Sequence, residues 1–119
     1  MTVESNITAA LTPLVAAGSV YPDLAPVGAP RPYITYQQVG GQSVDFLERA
    51  MPSKKNGRYQ VNVWADTRAV AAALILQVEA AIVLATAFQA SAQGAPISTF
   101  ESDTKLYGAM QDFSVWSDR

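Results

Sequence analysis

The stretch "RYQVNVWADT", residues 58–67, decides the fold because its hydrophobic pattern changes period within ten residues. Apolar residues at the odd positions from Tyr59 to Ala65 would share one side of a β-strand, and mostly polar residues at the even positions would share the other. Asp66 or Thr67 can then cap a helix. The stretch therefore predicts a strand with one buried face that leads directly into a helix.

The helix after this strand is predicted to run to about Ala90. Its main apolar face is predicted to comprise Val70, Leu74, Val78, Ala81, Ala85 and Phe88. The opposite face is nearly as apolar and comprises Ala69, Ala72, Leu76, Glu79, Val83 and Ala87. A helix that is apolar on both sides should be covered on both sides. We expect the sheet to cover one face, and the N-terminal helix or a neighbouring subunit to cover the other.

A membrane-spanning helix is the alternative for this region, since Glu79 is the only charged residue in 69–100. Glu79 would lie near the middle of such a span, where a charge costs roughly 3 kcal/mol on insertion scales. The strand that leads straight into the helix also favours a buried helix, so no membrane association is predicted.

The residues before the deciding stretch predict a helix and two strands. Residues 3–17 carry one apolar stripe, with Thr2 or Ser5 as the cap, and Pro13 predicts a kink near Thr12 or two short helices. A short strand is predicted at 20–21. A proline-rich connection and then a strand at 33–39 follow, and Gly40 and Gly41 end that strand.

The remaining residues complete the predicted fold. Residues 44–51 could form a strand or one helical turn, and 53–57 read as a turn, so that 42–57 would form a hairpin arm with the next strand. Two further strands are predicted at 97–101 and 106–116. Together these elements predict one domain over 1–119 with a two-layer α+β fold. Its mostly antiparallel sheet would carry the N-terminal helix and the long helix on one face, in the order α-β-β-β-α-β-β.

The composition excludes several kinds of site. The chain has no cysteine and no histidine, so thiolate chemistry and the commonest general base and metal ligand are ruled out. Its eight basic residues are scattered and its net charge is −2, so no sequence-specific nucleic-acid binding is predicted. Only 15% of residues are charged, against about 25% in typical soluble domains, so part of the surface is expected to face protein. The N-terminus lacks the features of a signal peptide.

Two small groups of residues could carry chemistry, and each has a simpler interpretation. Asp45 and Glu48 could share a helical face and act as an acid–base pair, but beside basic residues they are better explained as a solvated charge cluster. Trp64 and Trp116 could stack on a base or a sugar, but they are better explained as packing under a loop or anchoring a protein interface. No catalytic residue, metal or cofactor is therefore predicted.

The order of these landmarks resembles the tail-completion proteins of long-tailed bacteriophages and prophages, also described as tail-to-head joining or tail-terminator proteins. The resemblance rests on "VYPDLAPVGAPRPYITYQQVGG" at 20–41, on "RYQVNVWADT" before an alanine-rich helix, and on the terminal "MQDFSVWSD". It implies a virion structural protein, not an enzyme, that is located at the tail–neck junction after assembly in the bacterial host cytoplasm. The implied partners are copies of itself in a ring of about six subunits, the tail-tube protein and a head or neck connector protein.

The sequence offers candidate surfaces for such contacts, since a closed ring needs two different patches on each subunit. The candidate interface residues lie in the predicted arm and on the second face of the long helix: Phe46, Leu47, Lys54, Lys55, Leu76 and Val83. Two other functions stay open at this point. One is another neck or head-closure component, and the other is a small soluble domain that binds an apolar ligand beside the long helix.

Overall fold

A computed structural model describes residues 2–44, 46, 47 and 49–119. Helix α1 spans Val3–Leu11, and two 3-10 turns follow at Thr12–Leu14 and Ala16–Gly18. Strands β1 (Val20–Pro22), β2 (Tyr33–Gln38) and β3 (Lys54–Ala65) precede helix α2 (Arg68–Val83). Strands β4 (Gln89–Ala92), β5 (Ile97–Glu101) and β6 (Leu106–Asp118) complete the described elements. The two-layer α+β fold with a mostly antiparallel sheet is as the sequence predicts.

The six strands form one sheet in the order β1-β2-β3-β6-β4, with β5 also paired to β6. β1 pairs with β2 in parallel, and the other pairs are antiparallel. β3 and β6 pair over twelve positions, from Lys54 opposite Asp118 to Ala65 opposite Tyr107. The far side of β6 is shared, since β5 pairs with its first part and β4 with its last part.

The core lies between this sheet and the two helices. The predicted alternation along β3 is confirmed, because Tyr59, Val61, Val63 and Ala65 are all buried. The strand partners of these residues on β2 and β6 contribute side chains such as Ile34 and Phe113 to the same face. The helices cover this face with Ile7 and Leu11 of α1 and with five buried residues of α2: Ala71, Leu74, Ile75, Val78 and Ile82.

Pro13 was predicted to cause a kink near Thr12 or two short helices, and the first helix is indeed interrupted at this point. Thr2 caps α1 by accepting a hydrogen bond from the Ser5 backbone amide at 3.1 Å, and α1 ends at Leu11. Pro13 then lies in the first turn of a short 3-10 helix, where its missing amide hydrogen is tolerated.

The turn predicted at residues 53–57 is wrong. Lys54, Lys55, Asn56 and Gly57 are instead the first residues of β3 and pair with the end of β6. The Asn56 side chain donates to Ser114 Oγ at 2.9 Å and to the Val115 carbonyl at 3.4 Å. The neighbouring strand therefore overrides the turn-forming composition of this segment.

The long helix is shorter than predicted, but most of its predicted main face does pack on the core: Leu74, Val78 and Phe88 are buried, and Ala81 and Ala85 pack against them. α2 ends at Val83, and residues 89–92 form the additional strand β4, whose Ala90 and Ala92 pair with Val115 and Phe113. Val70, which was assigned to the main buried face, is 43% exposed. The sixteen residues of α2 span about 24 Å at 1.5 Å per residue.

Candidate functional site

The most unusual surface of the molecule is the solvent-exposed side of α2. Its exposed residues lie on one continuous arc of the helix, which covers nearly half of the circumference at about 100° per residue. Leu76 is 63% exposed and Val83 is 40% exposed. We call this surface the exposed α2 face and define it by Ala72, Ala73, Leu76, Gln77, Ala80 and Val83.

The two charged residues of α2 are both held by hydrogen bonds away from this face. Arg68 donates to the Gly108 carbonyl at 2.6 Å and to the Thr99 carbonyl at 2.5 Å, and it lies over the ring of Tyr107. Glu79 accepts a hydrogen bond of 2.7 Å from the Gln111 side chain, which also donates to the Gly94 carbonyl. The exposed α2 face is left uncharged, which is unusual for the surface of a soluble domain.

An apolar groove of about 660 Å³ runs beside this face, between α1 and the end of α2. Leu84 borders it at 77% exposure. We call it the α1–α2 groove; its lining includes Ala9, Ala10, Leu14, Ala80, Ala81 and Leu84. Gln77 and Ala80 belong to both the groove and the exposed α2 face, so the two form one continuous apolar surface.

The described residues 39–44, 46, 47 and 49–53 form a loop between β2 and β3, and we call the segment 39–53 the arm. Its base is fixed to the sheet on both sides. The Val39 amide donates to the Arg58 carbonyl at 2.7 Å, and the Arg58 amide donates to the Gly40 carbonyl at 2.8 Å. The Gln42 amide donates to Asn56 Oδ1 at 2.9 Å, and Arg119 donates to the Ser53 and Pro52 carbonyls.

The part of the arm beyond this base exposes apolar side chains. Leu47 is fully exposed, Met51 is 65% exposed and Phe46 is 46% exposed. Among the described arm residues, the Arg49 amide donates to the Phe46 carbonyl and closes a turn at the tip. The arm therefore has a fixed base and a tip that presents apolar side chains to solvent.

Lys54 and Lys55 lie at the start of β3, not in the arm as predicted. Lys54 forms an ion pair with Asp118 of β6. The Lys54 hydrogen bond and charge lower the pKa of the Asp118 carboxyl below its ordinary value. Lys55 is exposed on the neighbouring position of the strand. These two lysines thus adjoin the arm base, while Phe46 and Leu47 lie in the arm and Leu76 and Val83 lie on α2.

A second cleft, of about 630 Å³, lies at the opposite end of the sheet. The loop between β1 and β2 folds over the outer face there, and Trp64 and Tyr33 line the cleft beneath it. Arg31 of this loop pairs with Asp66 at 3.3 Å. Trp64 therefore packs under a loop, as the simpler interpretation predicts, whereas Trp116 is 37% exposed beside Gln89.

The described residues contain no group of three or more acidic side chains placed to hold a metal ion. Burial raises the pKa of the Tyr33 and Tyr59 hydroxyls. The carboxylate pair considered for acid–base chemistry, Asp45 and Glu48, lies outside the described residues. Across the described part of the chain, no helix is long and apolar enough to cross a membrane.

Comparison with known families identifies the kind of protein to which these surfaces belong. A family model described as tail completion protein gp17 matches residues 6–118, which is nearly the whole chain. The chain belongs to this family of phage tail completion proteins. A search of curated proteins found no significant match. The resemblance inferred from the sequence is thereby confirmed, and membership indicates a component of the phage particle that contacts other tail or head proteins.

Some exposed apolar residues of the tail completion protein do not follow from the sequence pattern. Leu84 and Met51 are more exposed than most of the predicted interface residues, and Leu24 and Val27 are exposed at the other end of the sheet. Leu84 was missed because the helix was predicted to continue past it. Leu24 and Val27 could have been noticed as apolar residues inside a proline-rich loop, where burial is rarely possible.

Proposed function

We propose that this tail completion protein caps the tail tube as a homo-oligomeric ring, of about six subunits, and joins the tail to the head through a connector protein. The role is structural, and no residue has a catalytic part in it. The ring forms at the tail–neck junction of the virion after the subunits have folded in the cytoplasm of the bacterial host. In each subunit of the ring, residues 1–119 form a single domain.

The exposed α2 face carries this proposal. A stable monomer rarely leaves a contiguous apolar patch of this kind uncovered, and such patches mark protein–protein interfaces. Here the patch is uncharged, is built on a regular helix, and is fixed to the core through Ile75, Val78 and Ile82 on the opposite side. A rigid helix with one side in the core and one apolar side in solvent supports a permanent contact with another protein subunit.

The shape of the molecule supports two separate contacts for each subunit. The principal extents are 52 × 25 × 25 Å, and the radius of gyration is 15.1 Å, compared with about 13.5 Å for a compact chain of this length. Exposed apolar side chains occur near both ends of β3, in the arm that precedes this strand and in the loop with Leu24 and Val27, which lines a cleft together with Trp64. An elongated subunit with contacts at both ends suits a component placed between a tail tube and a connector.

The two alternative functions predict different behaviour. Another neck or head-closure component would also form a ring, but it would remain with heads that lack tails. A ligand-binding domain would use the α1–α2 groove, which is the described apolar cavity beside α2. That domain would stay monomeric and carry a bound small molecule, whereas the tail completion protein proposed here carries none.

The proposal is tested with Leu76→Lys, which places a charge in the exposed α2 face without touching the core. We expect native mass spectrometry and negative-stain images to show rings on tails assembled with the wild-type chain. The Leu76→Lys protein should fold normally and leave tails uncapped. Gln37→Lys, which adds the same charge on the exposed outer face of β2, is the matched control and should keep normal tails.

Three results would contradict the proposal. Tails of correct length that attach to heads in the absence of the protein would remove the capping role. Rings found on isolated heads and never on tails would favour the head-closure alternative. The ligand-binding alternative would be favoured if the chain were monomeric both in solution and in the presence of tails, and if a small molecule co-purified with it.

A further inference from the structure

The cleft of about 630 Å³ at the Trp64 end of the sheet has the composition of a site for a positively charged side chain. We call it the Trp64 cleft, and its lining includes Asp23, Tyr33, Thr35, Asn62, Trp64 and Glu101. We propose that the Trp64 cleft binds an arginine side chain on an extended segment of a partner protein. The identity of that partner, a tail or head protein, rests on the joining role proposed above.

Two aromatic rings form the floor of the Trp64 cleft. The six-membered ring of Trp64 lies over Gly108, since its Cζ3 and Cε3 atoms would be 2.8 and 2.9 Å from a Cβ atom at that glycine. Tyr33 packs edge-to-face with Tyr21, with 6.3 Å between the ring centroids. A guanidinium group stacks favourably on aromatic faces, above all on tryptophan. The floor is therefore suited to a flat cation on an aliphatic stem.

The charged side chains of the lining leave an excess of negative charge. Asp23 and Glu101 are carboxylates, and both line the cleft. Arg31 is the one cation among the described lining residues, and it is already paired with Asp66 at 3.3 Å. An additional cation from a partner would therefore complement the charge of the cleft.

The Glu101 carboxylate is held in place beside the aromatic floor. The Thr104 hydroxyl donates to Glu101 Oε1 at 2.6 Å, which fixes this side chain and leaves its second oxygen for a ligand. Burial raises the pKa of the Tyr33 hydroxyl, and the negative charge of Glu101 raises it further. A cation stacked on the floor would lie in the field of the same carboxylate, and an arginine can meet it with two parallel hydrogen bonds.

Two polar side chains of the lining can bind the backbone of a docked segment. Thr35 is 7% exposed and Asn62 is half-buried. Neither side chain takes part in the side-chain hydrogen bonds that join the described residues of the protein. A polar group that is buried without a partner costs free energy, so both favour a ligand that supplies hydrogen bonds. A peptide offers an amide or a carbonyl group at every residue.

The rim of the Trp64 cleft favours a protein partner over a free cation. Leu24 is 84% exposed and Val27 is fully exposed, and both belong to the loop that borders the cleft. Exposed apolar residues around a binding cleft are typical of a protein–protein contact. A small polyamine would leave these side chains in water, whereas a protein segment would cover them.

The arginine is expected to come from another protein, because most arginines of this chain are already engaged. Arg31 and Arg58 form ion pairs with carboxylates. Arg68 and Arg119 donate to backbone carbonyls. Arg49 lies in the arm, next to residues outside the described part of the chain. A second copy of this chain is therefore the weaker candidate, and the experiment below includes it.

The two tryptophans of the chain make the contact directly measurable. The isotope-labelled full-length protein is titrated with the peptide acetyl-Gly-Ala-Arg-Ala-Gly-amide, and the indole N–H signals are followed by NMR. We expect the Trp64 signal to shift until it saturates, while the signal of Trp116, which lies outside the cleft, stays in place. The analogue with neutral citrulline in place of arginine should bind at least about tenfold more weakly, because it keeps the shape and loses the charge.

A matched pair of variants tests the carboxylate. Glu101→Gln should weaken binding of the arginine peptide at least about fivefold. Asp103→Asn removes the same charge two residues away, at an exposed position outside the lining, and should change binding less than about twofold. Equal effects of the two variants would overturn the site, as would equal binding of the citrulline peptide or equal shifts of both tryptophan signals.

Two further results would overturn the choice of partner. Putrescine that binds as tightly as the arginine peptide would assign the cleft to a small free cation. A Trp64 signal that depends on protein concentration without peptide, and no longer does so in Arg49→Ala, would assign it to a second copy of the chain.

Assembled particles separate this proposal from the proposed function. Glu101→Lys should lower the yield of infectious particles at least about tenfold relative to Asp103→Lys, because like charges would meet in the cleft. Equal yields would overturn the cleft as a partner site, and the capping test with Leu76→Lys would be unaffected. Failure of the capping test with intact peptide binding would contradict the proposed function and leave the arginine site standing.

Discussion

Gly108 of β6 occupies a position that has no room for a side chain. A Cβ atom there would lie 2.8 Å from a ring carbon of Trp64 and closer still to the Thr99 hydroxyl. We expect Gly108→Ala to lower the free energy of unfolding by about 1–3 kcal/mol through overpacking, as measured by urea denaturation. In a Thr99→Ala background the same change should cost at least about 0.5 kcal/mol less, since the nearest obstacle is gone. Equal costs in both backgrounds would show that the contact with Thr99 is not the cause.

The ion pair between Lys54 and Asp118 makes a contribution to stability that depends on pH. The Lys54 hydrogen bond lowers the folded-state pKa of Asp118 below 3.8, so its contribution to stability is present above that pH and is lost as the pH falls through the lowered pKa. We expect Lys54→Met to raise the pKa of Asp118 towards 3.8, as followed by NMR titration of the carboxyl carbons. Lys55→Met is the matched control, and a similar rise of the Asp118 pKa in this variant would contradict the assignment.

The start of helix α2 is stabilised by one side chain, that of its N-cap residue Thr67. The Thr67 hydroxyl accepts a hydrogen bond of 3.2 Å from the Val70 amide, which satisfies one of the free donors at the helix start. Thr67→Ala should lower the free energy of unfolding by about 1 kcal/mol, measured by thermal or urea denaturation. Thr67→Ser keeps the hydroxyl and should retain most of the stability. Equal losses in the two variants would assign the effect to the threonine methyl group.

Two residues near the end of α2, Ile82 and Leu84, allow an effect on folding to be distinguished from an effect on assembly. Ile82 is 1% exposed and Leu84 is 77% exposed. Ile82→Ala should cost about 2–5 kcal/mol of unfolding free energy, whereas Leu84→Ala should change it by less than about 0.5 kcal/mol. Leu84→Ala should instead weaken the capping of tails in electron micrographs. A large loss of stability in Leu84→Ala would mean that this side chain belongs to the core of the protomer.

The elements also show why the sequence predicts some boundaries and misplaces others. The central part of β3 has an alternating pattern of its own, and β5 follows a loop rich in small residues, so the local sequence predicts both strands. The first residues of β3 and all of β4 become strands because β6 lies beside them. The local sequence pattern cannot indicate pairing with a strand that is distant in the chain. Alanine is a good helix former, so the sequence predicts that the helix continues to about Ala90, although Ala90 pairs with Val115 of β6. Surface residues such as Leu76 and Leu47 could be proposed from the sequence, but the groove between two helices could not.

For the whole molecule, the arm should be dispensable for folding and required for assembly. Replacing residues 43–51 with two glycines removes the exposed tip and keeps the hydrogen-bonded base. We expect the melting temperature of the isolated protein to stay within about 3 °C, since loop length has a small effect on stability. Tails assembled with this variant should lack the ring in negative-stain images. Normal rings and infectious particles would show that the arm makes no necessary contact.

The position of β6 in the chain has a consequence for biosynthesis. β3, β4 and β5 all pair with β6, which is the last of the described strands. Until a ribosome has produced β6, the edges of β3, β4 and β5 that pair with it have no partner. The buried face of α2 can then pack only against the strands that are already present. A nascent or prematurely terminated chain therefore cannot present a finished subunit to a growing tail. The order of the strands would thus keep chains that lack β6 out of the proposed ring.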